Sequence, residues 1–77
     1  MKIDDNPQVY KAYKFVSDLE SKVFDLGDPY QKRWDTRIRW IYEDANCDGW
    51  QEVATKRPDI MLDAYIEAMQ FTIDNKL

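Results

Sequence analysis

Apolar residues recur along this chain at intervals of three and four, in three stretches set apart by proline, glycine and asparagine. That spacing is the signature of one buried helix face. The first stretch opens at Asn6-Pro7, a cap-type residue followed by a proline whose missing N–H the first helical turn does not need. Val9, Tyr13, Val16, Leu19 or Glu20, and Val23 then fall on one stripe, widened by Ala12, Phe15 and Leu26. Gly27 can take the positive φ that ends a helix. A helix over about residues 7–25 is predicted.

Asp28-Pro29-Tyr30-Gln31 reads as a capping box, with aspartate as cap, proline at the first helical position and glutamine at the third. Tyr30, Trp34, Ile38, Ile41 or Tyr42, and Ala45 carry the stripe on to Asn46-Cys47-Asp48-Gly49. The second helix is predicted over about 29–45, joined to the first by an antiparallel hairpin or a sharp corner. Residues 49–56 support two readings. Asp48 caps a short helical turn that points Trp50, Val53 and Ala54 inward, or an irregular connection anchors Trp50. Pro58 restarts the pattern, with Met61, Tyr65, Ala68 and Thr72 on one stripe and Leu62, Ile66, Met69 and Ile73 beside it. A third helix over about 58–74 follows, and its broad apolar arc suits packing on both other helices or on a second subunit. The fold class expected is all-α. It is a compact three-helix bundle in one domain, 1–77, with room for a short extra helix between the second and third.

Composition agrees with this and removes whole classes of chemistry. The chain has 77 residues, 44% of them hydrophobic and 14% aromatic, with only two glycines and three prolines. So little turn-forming residue argues for a few long elements over a small β meander. There is no histidine, so no Ser-His-Asp or Cys-His unit, no zinc helix of the HExxH type and no histidine pH switch can be built. The single cysteine, Cys47, allows no internal disulfide, zinc finger or iron–sulfur cluster within one chain. No catalytic residue and no cofactor is expected, and Cys47 is read as a passive thiol. Asp63 and Glu67 could act as acid and base, but on an exposed helix nothing separates their pKa values. The sequence therefore reads as non-enzymatic. No apolar run reaches the length of a membrane span, and Met1-Lys2-Ile3-Asp4-Asp5 does not read as a signal peptide. A soluble, cytoplasmic protein of a reducing compartment is expected, with no membrane partner.

Asp44-Ala45-Asn46-Cys47-Asp48-Gly49 matches the first half of an EF-hand calcium loop. Thr55 stands where that loop needs a bidentate glutamate, and Gln51 where it needs a β-branched residue. No metal site is expected; the stretch reads as a helix end followed by a cap.

Charge is unevenly placed. The net charge is -4, yet residues 29–41 carry Lys32, Arg33, Arg37 and Arg39 against Asp35, a local +3 that leaves -7 for the rest. Four cations are a thin footprint for nucleic acid, whose affinity rests on backbone neutralisation. Weak nucleic-acid binding through these four is one alternative. A second is a phosphate-mimicking acidic face made of Asp18, Glu20 and Asp25 on the first helix and Glu43 on the second, which would occupy the basic groove of a partner. The leading expectation is a small acidic helical protein acting by protein–protein interaction, as a regulator, inhibitor or accessory subunit. Helical phase turns Trp40 and Tyr10 away from the apolar stripes. With Arg33, Arg37 and Arg39 they are the interface candidates, since aromatics and arginine dominate binding hot spots. A homodimer through the third helix fits the same composition.

Overall fold

Asn6 opens the first helix by accepting the Val9 N–H on its side-chain oxygen at 3.3 Å, and Pro7 takes the first helical position. In this computed structural model, which describes residues 6–77, the chain forms four helices. They are α1 (Pro7–Leu26), α2 (30–44), α3 (Trp50–Lys56) and α4 (Pro58–Asn75), with no strand among the described residues. The fold is all-α, with the short extra helix present between the second and third long ones. The reading of Met1–Asp5 as lacking a signal peptide lies outside the described residues.

Gly27 closes α1 at φ +74°, with its N–H donating to the Val23 carbonyl. The expected capping box at α2 does not form. The Asp28–Pro29 peptide bond is cis, Pro29 precedes the helix, and α2 starts at Tyr30 without a side-chain cap. The main chain takes over that task, since the Gln31 N–H donates to the Gly27 carbonyl at 3.0 Å and needs no aspartate.

α2 is not uniform. Tyr30–Trp34 and Trp40–Asp44 are α-helical, while Asp35–Arg39 between them is a π turn. Such a turn holds one residue more than an α turn and occurs mostly as an isolated bulge. Nothing in the apolar spacing announces it.

The calcium-loop fragment closes α2. Asn46, at φ +61°, donates to the Glu43 carbonyl and Cys47 to the Tyr42 carbonyl, the paired bonds of a Schellman motif. Lys76, at φ +56°, and Leu77 repeat the motif on the Ile73 and Thr72 carbonyls at the end of α4. Of the two readings for 49–56 the helical one holds, but Asp48 does not cap it by its side chain. Gly49 is the cap residue, and Glu52 in the first turn reaches back past it to accept the Asp48 N–H at 2.7 Å.

The core is a column between α1 and α4, closed by α2 and α3. α1 contributes Val9, Ala12, Val16, Leu19 and Val23, and α4 contributes Met61, Ala64, Ala68 and Phe71. The 3-4-3 spacing on α4 corrects the expected stripe. Small Ala64 and bulky Phe71 hold inward positions that the pattern assigned to Tyr65 and Thr72, both of which are only half-buried. Trp34 and Ile38 enter from α2, and Trp50, Val53 and Ala54 from α3. The Cα radius of gyration of 11.8 Å matches the value of about 11.5 Å expected of a folded chain this long. None of the described helices is long and apolar enough to cross a membrane.

One polar side chain organises this core. A single oxygen of Glu20, Oε2, accepts the indole N–H of Trp34 at 2.9 Å and that of Trp50 at 3.0 Å. Phe71 meets Trp34 edge-on with ring centroids 5.3 Å apart, and Tyr42 meets Trp50 edge-on at 5.0 Å. These five residues tie together all four helices. Edge-to-face geometry sets the positive rim of one ring against the negative face of the other.

Candidate functional site

Past the π turn, α2 divides its residues between two neighbours. Tyr42 packs on Trp50, whereas Trp40, Ile41 and Ala45 line an open groove of about 530 Å³ between α2 and α4. Ile60 closes the apolar floor from the α4 side. Trp40 stands at the lip with half its surface exposed, 50%. Its indole N–H donates to the Arg37 carbonyl one turn earlier at 2.9 Å, which pins the ring to its own helix and leaves its apolar faces open. The placement of Trp40 away from the stripe agrees with the sequence reading. The groove itself was not legible there, because it depends on how α2 and α4 are set against each other.

Charge around the groove is mostly negative. Asp44 of α2 and Asp63 and Glu67 of α4 line it against one cation, Arg37. Arg37 is already engaged, with Nη1 2.8 Å from Asp74 Oδ2 and Nε 3.6 Å from Glu67 Oε2. The amide of Gln70 and then the Arg37 guanidinium hold the Asp74 carboxyl below the usual carboxylate range. Asp44 and Asp63 make no ion pair or side-chain hydrogen bond among the described residues.

The remaining basic candidates are mostly occupied within the fold. Arg33 donates to the Asn75 side-chain oxygen at 2.9 Å and lies over the Tyr30 ring. Arg39 sits 3.2 Å from Glu43 and 3.9 Å from Asp35, over the Tyr42 ring. Tyr42, followed by those two carboxylates, raises its pKa further. Lys32 is exposed on the opening turn of α2. The structure therefore brings Arg37 and Trp40 together at one groove, and turns Arg33 and Arg39 toward other partners.

The acidic candidates do not form one free surface. Glu20 is committed to the two indoles, Asp18 pairs with Lys14 at 3.5 Å, and Glu43 pairs with Arg39. Asp25 is exposed near the end of α1. Tyr10 is 44% exposed on α1, whereas α2 and α4 alone wall the groove.

On α3, the Glu52 carboxyl is held below its usual range by Lys56 and then by the Asp48 N–H, and Lys56 is raised in turn by Glu52. Among the described residues no three acidic or cysteine side chains converge in a way that could hold a metal ion. Cys47 is a free, buried thiol whose Sγ lies 3.6 Å from the Ala45 carbonyl. The chain matches no protein-family model, and comparison with curated proteins and with solved structures finds no match.

Proposed function

We propose that this is a small, non-enzymatic cytoplasmic interaction protein that binds a protein partner through the groove between α2 and α4, with Trp40 as its anchor. A regulator, an inhibitor or an accessory subunit all act in this way. The observation that carries the reading is the half-exposed indole fixed at the lip of an apolar-floored groove. A tryptophan held in one orientation loses little entropy on binding, and such residues supply most of the affinity at interfaces. The absence of histidine from the sequence adds weight against catalysis.

A homodimer is the second reading, favoured by the outer face of α4, where Ile66 and Ile73 are 59% and 68% exposed. The helical wheel places Asp59 and Asp63 along one edge of that face. An antiparallel pair centred on Ile66 and Ile73 would set these aspartates toward opposite ends of the contact, clear of their own copies. The mass of the free protein in solution tests it.

Affinity capture from the source cell with intact protein and with Trp40→Ala, at low and high salt, tests the leading reading. It expects at least one protein to be retained by the intact chain and lost with Trp40→Ala. Equal retention by both would sink it. A nucleic-acid binder would instead release with salt and on neutralising Arg33 and Arg37. An acidic mimic would depend on Asp18, Glu20, Asp25 or Glu43 and not on Trp40.

A further inference from the structure

We infer that the occupant of the groove is a basic amphipathic helix of a partner protein, with an apolar side chain set beside Trp40 and lysine or arginine reaching Asp44 and Asp63. This rests on the reading of the groove as a docking site and adds the chemistry of what docks.

Shape and charge point the same way. The walls are two helices, and a third helix laid between them buries an apolar stripe against Trp40, Ile41 and Ile60 in the manner of helix-in-groove recognition. Arg37 crosses from α2 to the acids of α4 and bounds the groove on that side, so the seat takes only a turn or two of a helix. The rim then selects the sign of the ligand. Glu67 and Asp74 are matched by Arg37, which leaves Asp44 on one wall and Asp63 on the other without an ion pair among the described residues. A cation presented on either flank of an apolar stripe meets one of these carboxylates. An acidic helix would be repelled by both, and a second copy of this chain, at net -4, is poorly matched to the same rim.

The test uses the full chain and a synthetic helical peptide of about 16 residues, with leucines at helical i, i+3 and i+4 positions and lysines on both flanks. A control peptide carries glutamate in place of every lysine. Binding is followed by amide and indole N–H resonances, which report each residue separately. The lysine peptide is expected to move the Trp40 indole and the amides of Asp44 and Asp63, and to bind more tightly as salt is lowered. The double variant Asp44→Asn, Asp63→Asn is expected to weaken it roughly tenfold, since each exposed pair contributes modestly. Both positions are exposed, and an unchanged circular dichroism spectrum verifies that this variant is folded.

Equal binding of the glutamate peptide overturns the inference. So does an unchanged affinity in the double variant, a footprint elsewhere on the molecule, or no binding of the lysine peptide below about 1 mM. A dimer in the free protein that Trp40→Ala converts to monomer also overturns it, because the occupant is then a second copy. If a cellular partner is lost with Trp40→Ala while the lysine peptide fails, the docking site stands and only the basic helix is wrong. If Trp40→Ala changes nothing in capture, the docking site falls as well.

Discussion

On its inner side α2 sends Trp34 against Phe71 of α4 and gives its indole proton to Glu20 of α1. On its outer side the same helix reaches α4 by polar links, from Arg37 at the groove and from Arg33 one turn before it. The inner seam is dry, with Trp34, Ile38 and Phe71 fully buried. The groove seam is wet, and Arg37 and its acids remain partly exposed. Burial decides what each seam is worth. A fully buried aromatic contributes several kcal/mol, whereas an exposed ion pair contributes about 0–1 kcal/mol. The fold is therefore held from inside, and the groove can vary its chemistry without endangering the bundle.

Phe71 offers the most direct way to break that contrast. Phe71→Ala is expected to cost about 3–5 kcal/mol through lost burial and the cavity left beside Trp34. At about 0.05–0.15 kcal/mol per residue a domain of 77 residues has about 4–12 kcal/mol in all, so the midpoint of urea unfolding should fall sharply. A loss no larger than that of Arg37→Ala would mean that the inner seam does not dominate.

Glu20 sharpens the contrast, because it is the polar member of the inner seam. Glu20→Leu leaves two indole donors without their acceptor and should cost about 2–4 kcal/mol. Glu20→Gln retains one acceptor oxygen and should cost about 1 kcal/mol. Near-ultraviolet circular dichroism, which reports the packing of Trp34 and Trp50, should weaken in the first and persist in the second. If both variants lose the same stability, the shared oxygen is not the organising contact.

Glu20 also marks the limit of what the sequence disclosed. The stripe of α1 placed either Leu19 or Glu20 on the inward face, and the structure uses both, one as core and one as acceptor. A carboxylate in register with an apolar stripe, in a chain with three tryptophans, was a visible signal of an internal acceptor. Charge alone places the same residue on an acidic surface, and only the register with the stripe separates the two readings. Helix ends are readable at Asn6, where a side chain caps, and at Gly27, where glycine takes the positive φ. At Asp28-Pro29 the start is legible but the capping box is not formed, because the Gly27 main-chain carbonyl does the work. The π turn and the groove left no periodic trace, since both follow from how α2 fits between its neighbours. Phe71 does not stand out in the sequence, because the broad arc of the last helix supports more than one inward stripe and only packing chooses among them.

Arg37 probes the groove seam itself. Arg37→Ala should lower stability by less than about 1 kcal/mol, with the difference shrinking as salt is raised. Thermal unfolding of both proteins at about 20 mM and 500 mM salt measures this, spanning the range over which exposed charges become screened. A large, salt-independent loss would show that Arg37 acts through packing of its stem and that the seam is not as wet as its exposure indicates.

The smallest effect concerns Asp74. Gln70 and then Arg37 stabilise its ionised form in the folded chain, so its carboxyl titrates below the ordinary aspartate range. The unfolded chain takes up the proton near pH 3.9, about the ordinary aspartate value. Protonation therefore costs the folded state more than the unfolded one. The stability tied to this carboxylate is fully present above that value and is lost as pH falls through the depressed folded value. Asp74→Asn should consequently destabilise slightly at pH 7 and much less at pH 2, with the two unfolding curves converging as acid is added. In Arg37→Ala the Gln70 amide still holds the carboxylate, so the window should move up toward the ordinary aspartate value without vanishing. Equal loss from Asp74→Asn at both pH values would assign its role to shape or amide geometry and not to charge. The groove seam would then be held by hydrogen bonds indifferent to pH, and its contrast with the indole-linked core would rest on exposure alone.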